Sequence, residues 1–190
     1  AFAAALDGRV AENKLLSHDL FEGVFARAAL VSDVEVVEEY PSRDDVAAAR
    51  QHRWARGDWQ LLPWLLGRRD AAVLTRRNCR LPLLGRWKML DNLRRTLTAP
   101  ASVAALVAGW TLPAADALAW TSFVVATIVL PPLLPVFAAI LPRRADITAR
   151  SHLRAFGADL LQALRQMGMQ IVFLPAQAWL MADAIGRTLF

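Results

Sequence analysis

The sequence predicts a mostly α-helical chain in two parts, a water-facing first half and a membrane-embedded second half. Three observations predict it. Charge is uneven: residues 1–95 carry 16 of the 22 basic and 13 of the 17 acidic groups, and residues 96–190 carry 6 and 4. The 190 residues are 56% hydrophobic, with a mean hydropathy of +0.31. Two long uncharged runs follow a basic flank, 20 residues between Arg95 and Asp116 and 26 between Asp116 and Arg143. Such runs reach across a hydrocarbon core of roughly 30 Å at about 1.5 Å per residue.

Taken in order, residues 2–16 mix small apolar and charged residues and read as a helix. Ser17 suits an N-cap, with His18-Asp19-Leu20 as first turn and helical apolar spacing to about Leu30. Val31 to Val37 is rich in β-branched residues and reads as a short strand near a sheet edge. Ser42-Arg43-Asp44-Asp45 looks like a capping sequence. The helix it opens should run from about Asp44 to Leu62, where Pro63 kinks or ends it. Arg50, Arg53, Trp54 and Gly57 then share one face.

Residues 61–95 mix Leu, Trp and Arg in pieces suited to a membrane interface. The two uncharged runs should form a transmembrane hairpin, turning at Pro113 and Asp116 and kinked by Pro131, Pro132 and Pro135. Arg94-Arg95 and Arg143-Arg144 flank it at one end, which places both ends in the cytosol. Residues 166–182 are also uncharged but include Gln166, Gln170 and Gln177. They read as a short or bundle-buried span, or as an interfacial helix. The expected divisions are 1–66, a cytosolic part; 67–95, basic interfacial helices; 96–142, the hairpin; and 143–190, a connector with a third membrane helix.

The net charge of +5 does not call for nucleic acid, because the excess is local. Residues 68–95 hold nine Arg or Lys against two Asp, beside an apolar run, which suits anionic lipid headgroups. Cys79 is the one cysteine, which excludes an intramolecular disulfide and a multi-cysteine metal site. Residue 1 is alanine, and the chain reads as a piece of a larger protein.

Asp19 is the sharpest candidate for chemistry. A carboxylate can take the proton from an attacking sugar hydroxyl. In the first turn of a helix it also favours the macrodipole, so a plain capping role stands beside the catalytic one. Arg50 and Arg53 can fork onto a diphosphate, and Trp54 offers a flat face to a sugar ring. The same three residues also suit a solvated basic face near a membrane. Glu22 and Asp58 are possible supporting groups. His18 and His52 lack metal-ligand spacing with each other, and Trp59 reads as wall or core. Together these are parts of a machine for nucleotide-sugar transfer. No Asp-x-Asp and no Gly-rich phosphate loop occurs, so a complete donor site is not expected here.

These residues resemble the processive, membrane-embedded inverting glycosyltransferases, the group of cellulose and hyaluronan synthases. That family carries its base in a Thr-Glu-Asp-type segment, followed by Gln-x-x-Arg-Trp. Here Ser17-His18-Asp19 and Arg50-Gln51-His52-Arg53-Trp54 stand at those places, with Arg where the family has Gln. The strings at 17–23, 49–64 and 84–95 look like those of cyclic β-1,2-glucan synthases. The likeness continues through Arg150-Ser151-His152-Leu153-Arg154 and Gln177-Ala178-Trp179-Leu180-Met181.

The resemblance implies that the first part is the C-terminal end of an α/β glycosyltransferase domain, with interfacial and transmembrane helices after it. It implies a multi-pass bacterial inner-membrane enzyme with a cytosolic catalytic side, using UDP-glucose, a growing glucan chain and a divalent cation, magnesium or manganese. The cation's ligands would lie outside this segment, in the rest of the polypeptide. Asp19 would be the general base, Arg50 and Arg53 would meet the donor diphosphate, and Trp54 would stack on the acceptor. Two rivals share these residues: another polysaccharide synthase of the superfamily, and a non-enzymatic membrane subunit or transporter fragment.

Overall fold

Every regular element among the described residues is a helix. The computed structural model describes residues 16, 19–25, 31–39, 41–66, 81–140 and 148–190. In chain order the helices are α1 (Asp19–Phe25), α2 (Asp44–Gln60), α3 (Leu62–Leu65), α4 (Leu83–Gly109), α5 (Ala114–Ala138) and α6 (Ala149–Leu189). Ser17, His18, Cys79 and Arg143-Arg144 lie outside the described residues, as do the predicted first helix and residues 26–30.

The predicted strand at Val31–Val37 does not form. Val34, Val36 and Val37 are 63%, 77% and 89% exposed. β-Branched residues favour a strand where a neighbouring ladder and a half-buried surface receive them. Among the described residues neither is present.

α2 starts and stops close to where the sequence predicts. Asp44 and Asp45 occupy its first turn, but Arg43 is the N-cap residue and makes no side-chain cap bond. Its guanidinium instead pairs with Asp45 at 2.7 Å. Leu61 closes the helix, and α3 opens with Pro63 in its first turn, where a missing N–H costs nothing.

The chain divides into two compact units, Ala1–Thr98 with Trp179–Phe190, and Ala99–Ala178. In the first unit, Phe21, Leu61, Leu81 and Met89 form a buried core, with Leu20, Val24, Phe25, Trp64 and Leu65 packed on it. Phe21 meets Phe25 at 4.7 Å and Trp64 edge-on at 5.9 Å between ring centroids. α4 enters this core closely because residue 85 is glycine. A Cβ there would stand 2.8 Å from a Val24 methyl.

In the second unit the end of α4 and the start of α5 form a hairpin. Gly109 leaves room for the Trp120 indole, which a Cβ at that position would strike. Trp120 Nε1 donates to the Ala105 carbonyl at 2.7 Å, and Trp110 Nε1 donates to Thr121 Oγ1 at 3.2 Å. α5 runs unbroken through Pro131, Pro132 and Pro135.

Among the described residues one helix, Ala114–Ala138, is long and apolar enough to cross a membrane. The first uncharged run is divided. Residues 96–109 complete α4, the helix that starts among basic residues, and α5 begins at Ala114. The run 166–182 is not a separate element, since α6 is continuous over 41 residues around Pro175.

Candidate functional site

The predicted face of α2 exists, and the rest of the helix explains its orientation. Arg53 and Trp54 are exposed, Arg50 is half-buried, and Gly57 is buried. Arg50 lays its guanidinium over the Trp54 ring, 4.5 Å from the centroid. A cation held over an indole is drawn by the ring quadrupole. It covers one face of Trp54, and the residue as a whole remains 40% exposed.

His52 and Trp59 lie roughly half a turn around the helix from Arg50 and Trp54, by the 3.6-residue period. Both are tied down. His52 Nε2 stands 2.9 Å from Asp183 Oδ2, and since a carboxylate can only accept, Nε2 is the donor. Trp59 Nε1 donates to Thr96 Oγ1 at 2.9 Å. Asn92 donates to Asp58 Oδ1 at 3.0 Å from the flank. Three polar bonds, to α4 and to the last turns of α6, thus hold the back and side of α2. Its buried Ala55 fits between them at 2% exposure.

The electrostatics of this back face are asymmetric. Burial pushes the Asp58 carboxyl above its ordinary value, against the pull of the Asn92 bond and the Arg95 charge. The Arg187 guanidinium, and then His52, hold the Asp183 carboxyl below its ordinary value. Asp58 therefore belongs to the bonding that seats the helix, whatever else it supports. Arg56 is half-buried, and its Nε is buried without a hydrogen-bond partner among the described residues.

Asp19 starts α1 and is exposed, two residues before Phe21, which is 1% exposed in the core. Glu22 is in the same first turn and is half-buried. α1 and the C-cap of α2 share that core through Phe21 and Leu61. Among the described residues no hydrogen bond or ion pair joins Asp19 to Arg50, Arg53 or Trp54. Nor does any group of three or more His, Cys, Asp or Glu side chains stand ready to hold a metal ion.

Sequence reasoning reached His52 and Asp58 but not their partners. Asp183 is 131 residues from His52, and Asn92 and Thr96 are 34 and 37 residues from theirs. Nothing in a local pattern marks such a pair.

No protein-family model matches the chain. Over 191 aligned residues, covering 100% of this chain, it is 47% identical to the cyclic β-(1,2)-glucan synthase NdvB of Rhizobium meliloti (strain 1021). The chain spans only 6% of the length of that protein. The likeness read from residues 17 to 181 thus holds over the whole chain, which is similar from end to end to one segment of a cyclic β-(1,2)-glucan synthase.

Proposed function

We infer that the chain is part of a processive inverting glycosyltransferase that moves glucose from UDP-glucose onto a growing β-1,2-glucan, which is then cyclised. The observation that supports this best is the seating of α2. Its back is bonded to α4 and α6, and its front offers Arg53 and Trp54 outward, with Arg50 stacked on the indole.

In this reading Asp19 accepts the proton of the glucan hydroxyl as that oxygen attacks the anomeric carbon of the donor glucose. The bond from that carbon to the diphosphate oxygen breaks, and UDP leaves with the electron pair. Arg50 and Arg53 stabilise the charge on the departing diphosphate. The open face of Trp54 holds the acceptor ring. A cation held elsewhere in the polypeptide belongs to the same reading.

The same reading puts the protein in the bacterial inner membrane. α5 supplies a span, and the start of α4 supplies an interfacial helix. Leu83, Leu84, Trp87 and Leu90 are exposed beside Arg86 and Lys88, a pattern suited to the headgroup region. The catalytic face then lies on the cytosolic side.

Membranes carrying the full-length protein, given radiolabelled UDP-glucose and magnesium, should form β-1,2-linked cyclic glucan. A different linkage would reassign the product to another polysaccharide synthase. No incorporation at all would sink the enzymatic reading and favour a membrane subunit.

A further inference from the structure

His52 sits within the most chemically loaded stretch of the chain, yet it faces away from the side that carries Arg50 and Trp54. Its partner comes from the far end of the sequence. Asp183 belongs to the last turns of α6, which fall in the same compact unit as α2. The pair is 2.9 Å apart, and its side chains are 22% and 29% exposed. One residue on, Ala184 is fully buried, so this part of α6 is seated and not merely passing. Asp183 also holds Arg187 at 2.7 Å within its own helix, so the one oxygen, Oδ2, accepts from both His52 and Arg187.

Apolar burial is non-directional, so packing alone fixes the rotation of a helix less sharply than a directed bond does. A hydrogen bond has direction, with strong preference for near-linear geometry. The one between His52 and Asp183 lies about half a turn from Arg50 and Trp54, and the Trp59–Thr96 bond lies on the same side, two turns further along the helix. The Asn92–Asp58 bond adds a third point on the flank, beside Trp59. Removing the His52 bond leaves the two at the C-terminal end of α2, and the stretch that carries Arg50, Arg53 and Trp54 loses its own tie.

We propose that Asp183 is a positioning residue for the glycosyl-transfer site: through its bond to His52 it sets the rotation of α2 and so the presentation of Arg50, Arg53 and Trp54. The proposal rests on the functional reading above for its kinetic consequence, but not for its structural one. Asp183 touches no substrate in this scheme.

The test uses the full-length membrane protein. Asp183→Leu removes the acceptor at similar size and should lower kcat/KM for UDP-glucose by roughly 10-fold, as a small misplacement of binding groups does. Asp183→Asn keeps a carbonyl oxygen for His52 and should restore most of the loss. Arg187→Gln breaks only the pair within α6 and should have little effect. His52→Ala combined with Asp183→Leu should be no worse than the worse single change, since both remove one interaction. Additive losses, or equal losses in Asp183→Asn and Asp183→Leu, would overturn the proposal.

A second readout separates this idea from the function itself. In protein freed of its native cysteines, Arg53→Cys should react readily with a soluble thiol reagent, and more slowly once Asp183→Leu lets α2 turn. If the wild type transferred no glucose but this labelling still responded, the functional reading would fall and the positioning role would stand. If transfer were normal and both labelling and kcat/KM were unmoved by Asp183→Leu, the positioning role would fall alone.

Discussion

α2 and α5 are both regular helices, but they are specified in opposite ways. α2 is charged and amphipathic, and three side-chain hydrogen bonds to distant residues orient it. α5 is almost entirely apolar, and its hydroxyls turn back on its own backbone. Thr121 bonds the Ala117 carbonyl and Thr127 the Val124 carbonyl, both at 2.7 Å. Leu118, Phe123, Leu134 and Phe137 are all more than half exposed. A helix that must place particular groups needs directional bonds; a helix that needs only apolar surroundings does not. The few indole bonds of α5 gather at its first turns, where it meets the end of α4.

Four tests would break or sharpen this contrast. The largest effect is expected outside both helices, at Asp19. Asp19→Asn in the full-length protein should lower glucosyl transfer by about 10²–10⁴-fold while leaving UDP-glucose binding largely intact. Near-normal incorporation would leave Asp19 as a helix cap.

Next comes a charge placed on each helix. Leu130→Arg, at a half-exposed apolar site in α5, should cost about 2.5–3.5 kcal/mol of membrane insertion. Ala49→Arg, at an exposed site in α2, should cost almost nothing. Fractionation of the two variants between membrane and aggregate reads the difference. Equal tolerance would mean that α5 does not lie in lipid.

The working face of α2 should then divide by substrate. Arg53→Ala should raise the KM for UDP-glucose by roughly 10- to 100-fold, the range of about 1.5–3 kcal/mol for charge-assisted hydrogen bonds. Trp54→Ala should shorten the glucan with less effect on donor KM. Titrating donor and acceptor separately checks this, and identical profiles would undo the division.

The smallest effect belongs to Asp58. Its folded-state carboxyl is raised by burial, so the folded state binds a proton more readily than the unfolded one. Stability from this group falls as pH rises from the ordinary carboxylate value through the raised one, and the whole cost is present at neutral pH. Asp58→Asn keeps an acceptor for Asn92 and removes that cost. It should melt no lower than wild type at neutral pH, with the difference shrinking toward acid pH. A lower melting temperature at neutral pH would mean that attraction to Arg95 outweighs burial. If activity fell while stability held, Asp58 would have a role in the site beyond seating the helix.

Much of this was legible in the sequence because it depends on near neighbours. Helix spacing, the acids that open α2, the break at Pro63 and the apolar length of α5 are all local patterns, and they appear close to where the residues place them. The motif strings carried the family resemblance, because identity in sequence needs no structure. The strand at Val31–Val37 was misread for the converse reason. Strand formation depends on a partner that local propensity cannot supply. The helix that begins among the basic residues continues past Arg95 to Gly109, since a helix ends where its backbone bonds end and not where charge ends.

What the sequence by itself determined is therefore which segments are helical, which is apolar enough for a membrane, and which residue types are available for sugar transfer. What only the tertiary structure decided is how α2 is turned: that Arg50 stacks on Trp54, that His52 faces away to Asp183, and that Asp58 and Trp59 bind α4. The physical reason is reach. Periodicity fixes the angle between residues on one helix, but the direction in which that helix points its faces is set by bonds to residues 34 to 131 positions away.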